Sequence, residues 1–218
     1  MIKTNLLFIV LLLVGQHAFS QTFLEEANGR PILKTALEDV SGDPYLYKTW
    51  KIGKVQLVNG KTYDNVPLNV NLISKEVFFK GANDEQLAFV QLVSSFAFTD
   101  TVKGVAETRL FKKIDSKLDN DYFMVIADGK VSLLKKIWKV IWEEKTYNSS
   151  TVVKNILDKS AYYTLSDGKL LQIKPSKKEI LNAFPDHKNE VDQYIKTEKI
   201  SFNNDQDLSK LFIYYNSL

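Results

Sequence analysis

The chain has 218 residues, with 29 Lys plus Arg against 26 Asp plus Glu, two His and no Cys. Lys is spread among Asp and Glu rather than gathered in a block, which excludes the basic patch of a nucleic-acid binder. Without Cys there is no disulfide and no acceptor for bacterial lipid attachment, so stability must come from a core, for which 44% hydrophobic and 12% aromatic residues supply the material.

The first twenty residues read as a targeting segment. Lys3 supplies a positive start, Leu6 to Val14 is an unbroken apolar run, and Ala18-Phe19-Ser20 places small residues on both sides of Phe19 before a cut at Gln21. The run is shorter than the ~20 residues needed to cross ~30 Å of hydrocarbon. Residues 21–218 are therefore expected to be exported, periplasmic or secreted, neither a lipoprotein nor membrane-spanning.

Residues 21–44 read as an N-terminal arm, broken at Asn28-Gly29-Arg30-Pro31, with a short helix around Leu33 to Asp39. Gly42-Asp43-Pro44 turns into Tyr45-Leu46-Tyr47-Lys48-Thr49-Trp50, where the β-region begins. Three pieces then share one design: Asn59-Gly60-Lys61, Asp128-Gly129-Lys130 and Asp167-Gly168-Lys169, each between β-branched and aromatic runs. Asn-Gly and Asp-Gly tolerate the positive φ that both central residues of a type I′ hairpin need. Their uneven spacing rejects a regular repeat.

Between these turns, Val66, Leu68, Val70 and Leu72 alternate with polar residues, the period of a half-buried strand. Pro67 places that strand at an edge or a bulge. Glu76 to Lys80, Leu87 to Val90 and Val93 to Phe98 continue a meander; Thr99 to Glu107 reads as a polar interval, and Arg109 to Ile114 and Tyr122 to Ile126 as further strands. Val131 to Trp142 fits both periods. Its β-branched and aromatic content, directly after Asp128-Gly129, favours a strand, which puts Trp138 and Trp142 on one face. Asn155 to Lys159 reads as a loop or helical turn.

From about residue 176 the period changes. Ser176-Lys177-Lys178-Glu179 matches a capping box, Asp186 is placed to cap a second helix, and Asn204 or Asp205 a third bearing Leu208, Leu211, Phe212 and Tyr215. Strands first and helices afterwards define an α+β fold: a mainly antiparallel meander, as a curved sheet, sandwich or half-barrel, with short C-terminal helices packed on it. No Pro-, Gly- or Ser-rich linker divides residues 45–218, which read as one β-rich domain.

Catalytic equipment is sparse. His187 is the one imidazole left after Gln21, in what reads as a wet helix start, and no Gly-x-Ser-x-Gly, His-Glu-x-x-His, Walker or dinucleotide pattern occurs. Asp115, Asp119 and Asp121 lack the spacing and the glycine of a calcium loop and read as a solvated loop, so no metal or cofactor is expected. Tyr45, Tyr47, Trp50, Trp138, Trp142 and Tyr147 are the aromatics best suited to an exposed binding platform, although core packing is their ordinary role. Asp100-Thr101-Val102 has the form of a bacterial O-glycosylation acceptor at Thr101, and Asn148-Ser149-Ser150 that of an N-glycosylation site.

Trp50-Lys51-Ile52-Gly53-Lys54-Val55-Gln56-Leu57, Val66-Pro67-Leu68-Asn69-Val70-Asn71 and the tail ending Tyr214-Tyr215-Asn216 resemble exported β-rich proteins of Gram-negative bacteria. The resemblance implies the compartment and no activity. The expectation is a non-enzymatic envelope or secreted module that binds a protein, glycan or lipid. A periplasmic carrier of an apolar ligand between sheet and helices comes second, and a carboxylate-based hydrolase third.

Overall fold

The computed structural model describes residues 29–32, 39–102, 105–115, 120–145 and 152–218. The targeting segment, nearly all of the helix expected at Leu33 to Asp39, Tyr147 and the Asn148 sequon lie outside these residues. In chain order the elements are β1 (Gly29–Pro31), β2 (Val40–Ser41), β3 (Lys51–Leu57), β4 (Thr62–Asn71), β5 (Glu76–Lys80), β6 (Gln86–Phe89), β7 (Val93–Val102), β8 (Val105–Asp115), β9 (Asn120–Ala127), β10 (Ser132–Lys145), β11 (Val152–Ser166), β12 (Lys169–Ile173), α1 (Lys177–Ala183), α2 (Lys188–Thr197) and α3 (Asp205–Asn216). The strands form one sheet ordered β1-β6-β5-β4-β3-β7-β8-β9-β10-β11-β12, antiparallel except where β2 lies parallel to β11. The sheet is open and single, so it is neither a two-sheet sandwich nor a closed barrel, and the α+β order of strands then helices holds.

The ambiguous stretch after Asp128-Gly129 is a strand. β10 pairs with β11 in unbroken register from Ser132↔Leu165 to Lys145↔Val152. The same pairing makes Asn155 to Lys159 part of β11 rather than a loop, because β10 supplies a partner for every residue of that polar run. The polar interval Thr99 to Glu107 is likewise largely strand: β7 and β8 pair out to Val102↔Val105, and Thr99 and Thr108 face each other with their hydroxyls 3.0 Å apart. Cross-strand Thr pairs support a ladder that a hydrophobicity pattern does not show.

The three turns differ from one another. Only Asp167-Gly168 has both central residues at positive φ, 50° and 72°. At the first turn Gly60 N–H donates to Leu57 C=O at 3.0 Å and Gly60 alone is left-handed, a turn followed by one bulged residue. The second is held from outside by α3. Pro67 sits inside β4, with β3 on one side, but the β4–β5 ladder begins one residue later at Leu68↔Phe79. The arm contributes β1 to the edge of β6, and Tyr45 makes a single bridge to Asn71 before the chain bends towards β3.

The helices begin at residues suited to it. Ser176 Oγ accepts from Glu179 N–H and Asn204 Oδ1 accepts from Asp207 N–H at 2.8 Å. Asp186 does not cap α2: His187 stands there in the left-handed region, and Asp186 binds Lys130 and the Tyr215 hydroxyl. Two cores result. One face of β3 to β9 buries Val55, Leu68, Phe79, Phe96 and Phe98; the helices bury Ile180, Phe184, Leu208, Leu211 and Phe212 against Val131 and Leu133. Phe184 stacks on Tyr215 at 4.0 Å. Ile126 packs against both the sheet cluster and the helical cluster.

Candidate functional site

β8 and β9 run together only part of the way. Their ladder covers Asp115↔Asn120 to Phe111↔Met124 and stops there. Beyond that point β8 stays with β7, through Phe98↔Arg109 and Asp100↔Glu107, while β9 stays with β10, through Leu134↔Val125 and Leu133↔Ala127. The strands splay, and α3 crosses the far side, where Ser209 Oγ donates to Ile126 C=O at 2.8 Å. The splay opens into a cleft of about 650 Å³, within the ~300–1,000 Å³ of small-ligand sites.

Leu46, Phe111, Met124, Ile126 and Ile137 give this cleft an apolar floor. Its charged lining residues are Glu107, Arg109, Lys135 and Asp205, two of each sign, with Tyr47, Thr108, Gln206 and Ser209 as polar neighbours. Arg109 Nη1 donates to the Tyr47 hydroxyl at 3.0 Å, while the Tyr47 ring stands edge-on to Phe98 at 5.1 Å. Lys135 Nζ donates to both Asp205 oxygens at 3.0 and 2.9 Å, and Tyr162 O–H donates to Asp205 Oδ1 at 2.5 Å. Burial opposes the Lys135 charge, but the Asp205 carboxylate outweighs it and holds the amine above its usual range. Burial, then the bond to Asp205, raises the Tyr162 phenol. Arg109, Lys135 and Asp205 are thus each held by a partner.

The five described aromatics singled out in the sequence lie at separate places. Tyr47 alone lines the cleft. Tyr45 donates its O–H to Gln86 Oε1 at 3.1 Å and packs edge-on to Phe78, whereas Trp50 is half-buried just before β3. Trp138 and Trp142 do share a face of β10, but they sit beyond the last β9 pair, at Lys136↔Phe123, away from the cleft. Trp138 is half-buried with Lys136 Nζ 5.3 Å from its ring centre, and Trp142 is 56% exposed. The Thr101 backbone lies in β7 opposite Ala106 rather than in a loop, and its side chain lies outside the described residues.

Asp121, expected in a solvated loop, is placed otherwise. It is buried, not solvated, and its Oδ2 lies 2.9 Å from Lys75 Nζ and 3.0 Å from Lys136 Nζ, so its charge is consumed internally. No group of three His, Cys, Asp or Glu suited to a metal occurs among the described residues. His187 lies at the α2 start with Nδ1 3.4 Å from Glu190, remote from the cleft lining. The space directly between helices and sheet is filled by Ile180, Phe184, Leu208 and Phe212.

Arg109, Lys135 and Asp205 are the residues that sequence reasoning missed. Lys135 had a signal: it falls between Leu133 and Ile137 on the inward face of an alternating strand, where a charge needs a partner. That partner, Asp205, is seventy positions on and reads locally as a cap. No protein-family model matches the chain, and no curated protein or solved structure shows significant similarity to it.

Proposed function

We propose that this chain is an exported binding module that holds its ligand or partner in the cleft between β8, β9 and the start of α3. The observation that carries this reading is the cleft itself: an apolar floor under four charged side chains of balanced sign, two of them locked to each other. Preorganised rims bind without first losing side-chain freedom. Asp205 is committed to Lys135 and Tyr162, which favours recognition over hydrolysis by a pair of carboxylates. The packed helix–sheet interior leaves an enclosed apolar cargo no room there. The apolar start of the chain supports export to the periplasm or beyond, and no helix of the described residues is long and apolar enough to cross a membrane.

The test uses protein recovered from a native bacterial envelope and examined by native mass spectrometry, beside the variant Gln206→Trp. Gln206 is exposed on the cleft rim, so an indole there blocks the opening without disturbing a core. The expected result is a bound species on the parent chain that is lost from the variant, with equal thermal stability. A bound species retained on Gln206→Trp, or none on either, overturns the reading. Intact mass of the same sample reports whether the chain begins at Gln21.

A further inference from the structure

Three consecutive residues of β8, Glu107, Thr108 and Arg109, and three consecutive residues of β9, Met124, Val125 and Ile126, line the cleft. Side chains of a strand alternate between the two faces of a sheet, so a cavity on one face meets only every second residue. Contact with every residue means that the cleft also runs along the edges of both strands. Those edges are where the β8–β9 ladder has ended, at Phe111↔Met124, while β8 continues with β7 and β9 with β10. Thr108 confirms the passage: it lines this cleft and also the groove on the opposite face with Thr99 and Gly53.

We infer that this gap is a slot for an added β-strand, and that its occupant is an extended segment of another polypeptide. The inference rests on the reading of the cleft as a binding site and names its ligand. Along β8, the Ile126 carbonyl of β9 being already taken by Ser209, an extended chain brings donors and acceptors spaced for a ladder, which a lipid tail or a sugar does not. Its side chains alternate, so every second one falls on the apolar floor of Phe111, Met124 and Ile137, while the intervening ones point towards the Thr108 side. The rim carries no net charge, with Lys135 and Asp205 closed on each other, so it gives a purely anionic or cationic amphiphile no counter-charge. The segment has period-two apolar residues and no proline at the paired positions.

The test selects ten-residue peptides from a random display library on the full exported chain, with Gln206→Trp as the blocked control. The resynthesised binders are titrated while the methyl resonances of Met124, Ile126 and Ile137 are followed. Expected are binders with alternating apolar residues that shift these methyls, lose at least tenfold affinity on Gln206→Trp, and lose at least tenfold when alternate backbone nitrogens are N-methylated. Binding that shifts the methyls but is indifferent to N-methylation overturns the added strand while leaving the cleft reading intact. So does the absence of peptide binders when dodecylphosphocholine below its micelle concentration shifts the same methyls. If neither peptide nor amphiphile moves them, both the inference and the cleft reading fall.

Discussion

Asn216, the last residue of α3, makes both amide bonds of a ladder with one backbone residue: its Oδ1 accepts from Val131 N–H and its Nδ2 donates to Val131 C=O, each at 3.0 Å. The β9–β10 turn is therefore closed by a side chain eighty-five positions away. A Cβ on Gly129 would lie 2.4 Å from the Asn216 amide, so the glycine is required for that close approach. Asn216→Ala is expected to cost about 1–3 kcal/mol in urea unfolding, because it leaves both backbone groups of Val131 without this partner. Gly129→Ala is destabilising alone and less so with Asn216→Ala present. A double-mutant cycle with zero coupling would refute the clasp.

Acid should find the same turn. Hydrogen bonds from Lys112, then Ser132, hold the Asp128 carboxyl below the usual carboxylate range. A folded pKa below the unfolded one contributes stability that is complete above the ordinary value of ~3.9 and is lost as pH falls through the lowered value. Urea midpoints of the parent chain should drop on this limb, and those of Asp128→Asn should drop less. Parallel curves would contradict the assignment.

Tyr215, with Tyr122 and Tyr162, contributes to the opposite limb. Burial, then its hydrogen bond to Asp186 at 2.6 Å, raises the phenol above its usual range. The folded state holds this proton more tightly, so the contribution is complete below the ordinary value of ~10 and is lost as pH rises through the raised one. Tyr215→Phe should remove its share of the alkaline loss, and phenolate absorbance should show one tyrosine fewer titrating together with unfolding.

The two tryptophans of β10 should separate in solution. Trp142→Phe is expected to change stability by no more than about 0.5 kcal/mol while removing the emission most readily quenched by acrylamide. Trp138→Leu removes the ring beside Lys136 and is expected to cost about 1 kcal/mol or more, with little loss of quenchable signal. Equal quenching of both residues would show that the projecting end of β10 is covered.

Local chemistry was legible and long-range chemistry was not. The Ser176 and Asn204 caps and the apolar stripe of α3 depend on neighbours within a turn, and the structure reproduces them; Val66, Leu68 and Val70 are buried as their alternation predicts, but Asn69 between them is buried as well, its amide on the Tyr47 carbonyl. β11 was partly missed because its polar run at Asp158, Lys159 and Ser160 is strand only by virtue of β10. Asp186 has the local look of a cap because its real partners, Lys130 and Tyr215, are distant in sequence. The cleft was hidden for a further reason. It arises where two strands stop pairing, and neither Phe111 nor Met124 carries any mark of being the last rung.

Ile126 belongs to the fringe of both cores and also to the floor of the cleft. The sheet core and the helical core meet along β9, which gives Met124 to one and Ala127 to the other, and Ile126 is the side chain at the fringe of both; such regions open with separate free energies. Amide exchange should see α1 to α3 released before β3 to β7 in the empty chain. An occupant resting on Ile126 touches both regions at once, so filling the cleft should merge the two releases into one. The readout of binding is then cooperativity, visible at amides far from any contact.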